Sequence, residues 1–344
     1  MGYTSVRDRT GAVAAAGALA GQDLEMAETG LVADQVMAES GVSDRRIAAL
    51  ALGQAGGDVA RACSLVRAWA AVLPRGGSYR ADVQSMRALR RITPGFAEPA
   101  GGQYLGASLD YEQRLLQLDG PARPHAGANG HRVQAPPAKQ VPEDFPRALA
   151  ALSGEGLVAD PQPPAEAVDI NRETGDRRQR GALLQLLARA DTGALTALAY
   201  TAIRGFSSRQ DPTLVELRRG CLDVRISRPD GGSFILGAID VTYAEVVLYR
   251  LHGGTPDPRL TLGVGATVGR IERRAIAAAV LDANCTRAAA DGPRRLEPAE
   301  DAEFLAIALD GQEAAGFVEH LKLPHHVTFT SELDRVRQAR RAAE

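Results

Sequence analysis

Aromatic residues are scarce in this sequence: phenylalanine, tyrosine and tryptophan together make up 4% of 344 residues. A core of this chain must therefore be built mainly from alanine and leucine, whose shapes favour close helix contacts. Cysteine is scarcer still, with only Cys63, Cys221 and Cys285. Their odd number and wide spacing, with no Cys-x-x-Cys pair, exclude a disulfide framework or a zinc ribbon. They suit a reducing, cytoplasmic compartment. Excess charge is also missing. The 40 basic and 42 acidic residues leave a formal net charge of -2, which gives no electrostatic footprint for nucleic acid or a membrane surface. No apolar run approaches the roughly 18 residues that span a bilayer. The first residues lack a basic start followed by an apolar stretch, so no export signal is expected. What remains is 45% apolar, and long enough to bury a sizeable core in one large or two modest domains.

Residues 3–7 read as a short strand and 11–20 as an alanine-rich helix. A helix follows over 24–39, weakened by Gly30. Ser43 is the expected N-cap of a helix through Gln54, which Gly56 and Gly57 stop. Asp58 caps the next helix, where Ala62, Leu65, Val66, Trp69, Val72 and Leu73 keep a helical rhythm. That rhythm places Trp69 in the core. The stretch 121–164 carries nine of the 19 prolines and reads as a long excursion over the surface, with one short helix near 147–152. A helix returns over 180–203. Strands are expected near 222–226 and 234–239, joined by the turn Arg228-Pro229-Asp230-Gly231-Gly232. A strand or helix follows over 241–249, then helices near 271–288, 300–309 and 331–342. These segments predict an α+β fold, mainly helical with a small antiparallel sheet in the C-terminal half. The expected division is a helical domain over 1–120, a proline-rich, partner-wrapping excursion over 121–175, and an α+β domain over 176–344.

Three of the six histidines, His320, His325 and His326, fall within seven positions. On a helix, His320 and His325 would stand about 140° apart. Pro324 ends any helix there and biases Leu323 to be extended. A helix end followed by an extended stretch brings both imidazoles to one point, as a metal or catalytic site needs. The alternative is three histidines at a helix end, one favouring the dipole and the others solvated.

A second block, Gly101-Gly-Gln-Tyr-Leu-Gly-Ala-Ser-Leu-Asp-Tyr-Glu-Gln-Arg114, mixes glycines with Asp110, Glu112 and Arg114. Glycines let a backbone approach a ligand, and an arginine can grip phosphate with two parallel hydrogen bonds. Gln103 and Tyr111 add neutral hydrogen-bonding groups. A glycine turn entering a helix capped by Asp110 explains the same residues. GVGATVG over 263–269 has the wrong spacing for a dinucleotide loop and is expected to be a tight turn before a helix. Clusters at Arg87, Arg90 and Arg91, at Arg177, Arg178 and Arg180, and at 272–274 are most simply solvated faces or ion pairs.

The tail, GFVEHLKLPHHVTFTSEL over 316–333, resembles the C-terminal signature of the I subunit of the bacterial carbon–phosphorus lyase core complex. The blocks at 40–69, 86–92, 101–116, 194–206 and 269–282 resemble the same family in order. That subunit belongs to ribose methylphosphonate triphosphate synthase. The resemblance implies a ribosyl transferase in phosphonate catabolism that displaces the purine base of ATP or GTP at ribose C1′ with an alkylphosphonate. When water is the acceptor, the activity becomes that of a purine nucleosidase. Departure of a base passes through an oxocarbenium-like transition state that a carboxylate stabilises, as in glycoside hydrolysis.

Asp110 is the candidate carboxylate, with Tyr111 beside it. Gly102, Gln103, Arg114, Arg90 and Arg274 are the candidate substrate-binding residues. The resemblance also implies that His320 and His325 bind zinc shared with the J subunit. Further implied partners are subunits G and H and the ATP-binding cassette subunits K and L. A structural subunit that supplies only the interface and half of the zinc site is the alternative. Several family phrases are altered here: Asp211-Pro212 replaces a His-Pro pair, and His326 replaces a tyrosine.

Overall fold

The computed structural model describes residues 30–74, 81–105, 146–159, 170, 179–205, 212–227, 232–249, 259–291 and 295–344. The strand and helix expected at 3–7 and 11–20 lie outside the described residues. So does the turn at 228–231.

Three short helices come first, α1 (Leu31–Ser40), α2 (Arg45–Gln54) and α3 (Val59–Ala71). The helix expected over 24–39 starts at Leu31, with Gly30 as its N-cap rather than an interior residue. Asp44, not Ser43, caps α2 by accepting from the amide of Ile47, and Asp58 caps α3 by accepting from the amide of Arg61. Gly41 ends α1 in the left-handed region at φ 74°, where glycine costs least. The helices bury Val36, Met37, Leu52, Ala62, Cys63 and Val66 against one another. Trp69 is 42% exposed, against the core position its periodicity suggested. The cluster uses only the first two turns of α3, and the last turn runs past it.

The remaining elements are β1 (Arg87–Ile92), α4 (Ala150–Gly154), β2 (Val158–Ala159), α5 (Arg180–Arg189), α6 (Thr192–Arg204), β3 (Pro212–Ser227), β4 (Ser233–Leu248), β5 (Leu260–Val268), α7 (Glu272–Asp291), α8 (Ala302–Ala308), α9 (Gly311–Glu319) and α10 (His326–Ala343). The sheet runs β1-β3-β4-β5-β2, antiparallel throughout except for the short β2, which lies parallel to β5. The chain is therefore α+β. The strands expected at 222–226 and 234–239 are parts of two 16-residue strands, β3 and β4. The helix expected over 180–203 is two helices, because Asp191 breaks it and caps α6 at the amide of Ala194, 2.8 Å away.

Strand β1 comes from the segment expected as a separate helical domain, so the sheet draws on both expected domains. The proline-rich stretch is also partly internal. Leu149 is fully buried beside Val215, Val247 and Leu262, under one face of the sheet. Burial of one leucine contributes about 1.5–3 kcal/mol, which ties this stretch to the core.

GVGATVG is strand through Val268, and only Gly269, at φ 88°, turns into the helix that follows. Helix α7 lies directly on β5, and a Cβ on Gly265 would stand 2.1 Å from the Ala275 carbonyl oxygen. Ala275, Ala278, Ala279 and Ala283 face the glycine strand. The shortage of aromatics has this structural counterpart: helix and sheet approach until backbone nearly meets backbone. Among the described residues, no helix is long and apolar enough to cross a membrane.

Candidate functional site

Strands β1 and β3 set two pairs of arginines directly opposite each other. Arg91 faces Arg218 and Arg90 faces Arg219. Side chains alternate along a strand, so the pairs point to opposite faces of the sheet. Like charges in directly opposed positions destabilise a sheet unless something separates them.

The first pair is separated by Glu216. One carboxylate oxygen lies 2.6 Å from Arg91 Nε and 2.7 Å from Arg218 Nε, and all three side chains are buried. Arg91 also donates to the carbonyls of Ala100, Gly102 and Pro146 at 2.8, 2.6 and 2.9 Å. Backbone bonds between Arg91 and Tyr104 close the same arrangement. The start of the glycine block is thus clamped to β1. Gly101 and Gly102 hold φ of 79° and 71°, a conformation that glycine permits. Gln103 is exposed. Nearby, Glu245 accepts from Arg147 Nε at 2.8 Å and from the Tyr243 hydroxyl at 2.9 Å. Burial pushes the Glu245 carboxyl above the usual carboxylate range, while Arg147 and Tyr243 pull it back.

On the opposite face, Arg90 Nε lies 2.6 Å from Glu272, the first residue of α7. A second Arg90 nitrogen donates to the Leu105 carbonyl. Thr242, which pairs with Arg219 across β3 and β4, donates to the Gly269 carbonyl at 2.7 Å. That bond sets the turn at 269–271 and the start of α7 over Arg219. Arg270 and Arg45 both grip the buried Asp34, each at 2.7 Å. Burial raises the Asp34 carboxyl, opposed by these two guanidiniums. The Arg219 side chain is half-buried, and its guanidinium makes no hydrogen bond and no ion pair among the described residues.

Arg274 is fully enclosed. It donates to Thr267 Oγ1 at 3.2 Å, to the Ala188 carbonyl at 3.1 Å and to Thr192 Oγ1, and lies 3.5 Å from Glu39. Burial lowers its pKa, opposed by Glu39. Its guanidinium joins α1, α5 and α6 to α7 and presents no face to a ligand.

Of the residues singled out in the sequence, Gly102, Gln103 and Arg90 lie together at β1 and the clamped stretch after it. Asp110, Tyr111 and Arg114 lie outside the described residues, beginning five positions after Leu105. Glu216, Arg218, Arg219, Tyr243 and Glu245 had no place in the sequence reading. Alternation over 214–220 was the signal that points to the first three, and it was obscured by two adjacent arginines.

The histidines sit where Pro324 places them. Helix α9 ends at Glu319, a 3-10 turn covers His320–Lys322, Leu323 is extended at ψ 155°, and His325 is the N-cap residue of α10. The rings of His320 and His325 have centroids 5.4 Å apart and stand edge to face at 84°. His320 Nδ1 meets the Phe317 carbonyl, and His325 Nε2 lies 3.3 Å from the His320 carbonyl. A carbonyl only accepts, so these ring nitrogens carry the protons. His320 Nε2 and His325 Nδ1 keep lone pairs, which is how metal-binding histidines are usually held. The pair therefore fits two ligands of a metal. Among the described residues, no group of three or more histidine, cysteine or carboxylate side chains could hold one. His326, the third of the cluster, starts α10 and is exposed.

Neither α9 nor α10 buries a residue. Phe317 and Val327 are each 73% exposed, and Val318, Leu321, Leu323 and Phe329 are also uncovered. Exposed apolar surface of this extent marks an interaction site. A close histidine pair beside two uncovered apolar helices defines a class: a chain with an apolar face open to another chain. Residues 10–343 match the family model of the bacterial phosphonate metabolism protein PhnI, and this chain belongs to that family.

It is 37% identical over 325 residues to the alpha-D-ribose 1-methylphosphonate 5-triphosphate synthase subunit PhnI of Rhizobium meliloti, covering 93% of this chain and 86% of that protein. The Escherichia coli protein of the same name is 37% identical over 308 residues, covering 88% of this chain and 85% of that protein. A putative C-P lyase subunit protein, HtxH, from Stutzerimonas stutzeri is 37% identical over 316 residues, covering 89% of this chain and 84% of that protein.

Proposed function

We propose that this chain is a cytoplasmic subunit of a carbon–phosphorus lyase complex that makes a ribose 1-phosphonate 5-triphosphate from a purine nucleoside triphosphate. The observation that carries this reading is the 37% identity to a synthase subunit across 93% of the chain. The name of that relative's product describes a sugar with phosphonate at C1 and the triphosphate retained at C5. Formation of that product from ATP or GTP forms one bond, from a phosphonate oxygen to ribose C1′. It breaks one bond, from C1′ to the purine, which leaves with the electron pair and takes up a proton. Water in place of phosphonate gives the nucleosidase reaction.

Asp110 stabilises the positive charge developing at C1′, and Tyr111, Gln103 and the Gly102 backbone orient the sugar. Arg114 and Arg90 contribute positive charge toward the phosphates. Arg274 is engaged with internal partners and is left out of this set. The clamping of 101–105 onto β1 by Arg90 and Arg91 supports a fixed site at this edge of the sheet. The test is release of free purine, followed by chromatography, when the assembled complex is given ATP and methylphosphonate. Asp110→Asn is expected to slow release at least about tenfold, in line with the loss of one transition-state interaction. Full turnover by that variant overturns the assignment.

His320 and His325 would hold zinc, completed by ligands from the J subunit docked on the exposed apolar side chains of α9 and α10. Zinc there would supply a Lewis acid or a structural tie between the chains. His320→Ala is expected to lower the zinc content of the complex by elemental analysis, and unchanged content removes the pair from the site. The uncovered apolar side chains of α9 and α10 also favour the alternative of a subunit that only assembles the complex. Base release that survives substitution of both Asp110 and Arg114 would favour that alternative.

A further inference from the structure

Arg219 is the anomaly of the sheet. The two opposed arginine pairs are built alike, yet only one is balanced. Glu216 lies between Arg91 and Arg218 and bonds both. On the other face Glu272 bonds Arg90, and Arg219, directly opposite Arg90, has no hydrogen-bonding or ion-pair partner among the described residues. Beyond burial, Glu272 attracts its charge, Arg270 and Arg90 repel it as like charges, and Asp240 attracts it more weakly. The carboxylates near it are already engaged. Glu272 is bonded to Arg90, and Asp240 accepts from Arg45 at 3.1 Å. Burial lowers the Arg219 pKa, a cost to its charged form. Its nitrogens are not sealed from solvent, since none is among the buried polar atoms without a partner. A guanidinium kept charged, half-buried and beside two other arginines destabilises the free protein, and such strain concentrates at binding sites.

We infer that Arg219 binds a phosphate oxyanion, which takes the place between Arg219 and Arg90 that Glu216 fills on the opposite face. The ligand class is an inorganic or nucleoside polyphosphate. The start of α7 lies over the same point, so the positive end of its dipole adds to the attraction. Arg90 also holds the Leu105 carbonyl, so an anion at Arg219 sits beside the described part of the glycine block. As a contact for the triphosphate, this inference rests on the reading proposed above. As an anion site, it stands by itself.

The experiment is calorimetric titration of the full-length chain with inorganic tripolyphosphate at low salt, alongside thermal melting without ligand. Arg219→Gln is expected to weaken tripolyphosphate binding about tenfold or more, the size of one charge-assisted hydrogen bond. The exposed Arg46→Gln is expected to change it little. Removal of the unbalanced charge is also expected to leave the ligand-free melting temperature equal or higher. Unchanged affinity in Arg219→Gln overturns the inference, and so does absence of tripolyphosphate binding to the unsubstituted chain. A lower ligand-free melting temperature assigns Arg219 a structural role and also overturns it. If binding depends on Arg219 while the assembled complex releases no purine, the anion site stands and the transferase reading falls. If purine is released and binding ignores Arg219, the reverse holds.

Discussion

Replacement of Glu216 by glutamine is expected to destabilise the fold by about 3–5 kcal/mol, the usual effect of removing one partner from a buried ion pair. Glu216 is fully buried, and so are the guanidiniums of Arg91 and Arg218 on either side of it. Glutamine keeps the shape and loses the charge. Two arginines directly opposite each other in the sheet would then be left facing without an anion between them. Glu216 also accepts from the amide of Ala148 at 3.2 Å, so the change loosens the segment that carries the buried Leu149. Denaturant unfolding of the full-length chain checks this. A midpoint within error of the unsubstituted protein would show that the triad adds nothing net. Glu216→Gln with Arg218→Met tests the origin of the effect, because removal of both charges is expected to recover part of the loss.

The second large effect is expected at the contact between β5 and α7. Alanine at Gly265 would set a Cβ 2.1 Å from the Ala275 carbonyl oxygen and 2.5 Å from the Ala279 amide nitrogen. Both are helix backbone, which cannot rotate away as a side chain can. Helix α7 must lift, and it carries Ala275, Ala278, Ala279 and Leu281 of the main core. Overpacking of this kind costs about 1–3 kcal/mol, and the melting temperature should fall accordingly. Gly237→Ala in β4 is the control. Nothing lies within 4 Å of the position its Cβ would take, so its melting temperature is expected to stay or rise slightly. Equal behaviour of the two variants would show that the close approach is not a constraint.

Local chemistry was legible where it acts over a few residues. Asp58 and the helix it caps, and the bend at Pro324, follow from neighbours in sequence. The histidine pair was legible for the same reason: proline sets the chain direction within five residues. The role of Arg274 was not. Its cluster reads as a solvated face, yet its partners Glu39, Ala188 and Thr192 lie far away in sequence. GVGATVG reads as a turn because glycines permit one. The strand appears only when α7 is laid across it, and there the absence of side chains is what the packing requires.

The sequence by itself determined an alanine-rich α+β chain with two histidines brought together across a proline. Periodicity, capping and composition are local or summed properties, so they survive without knowledge of the fold. Tertiary structure alone decided which charges are balanced. Arg91 and Arg218 share a carboxylate and Arg219 does not, because β1 and β3 meet in a register that no local pattern encodes. Tertiary structure also left α9 and α10 uncovered. A helix states which of its faces is apolar, but only the packed chain shows that no part of its described residues covers that face.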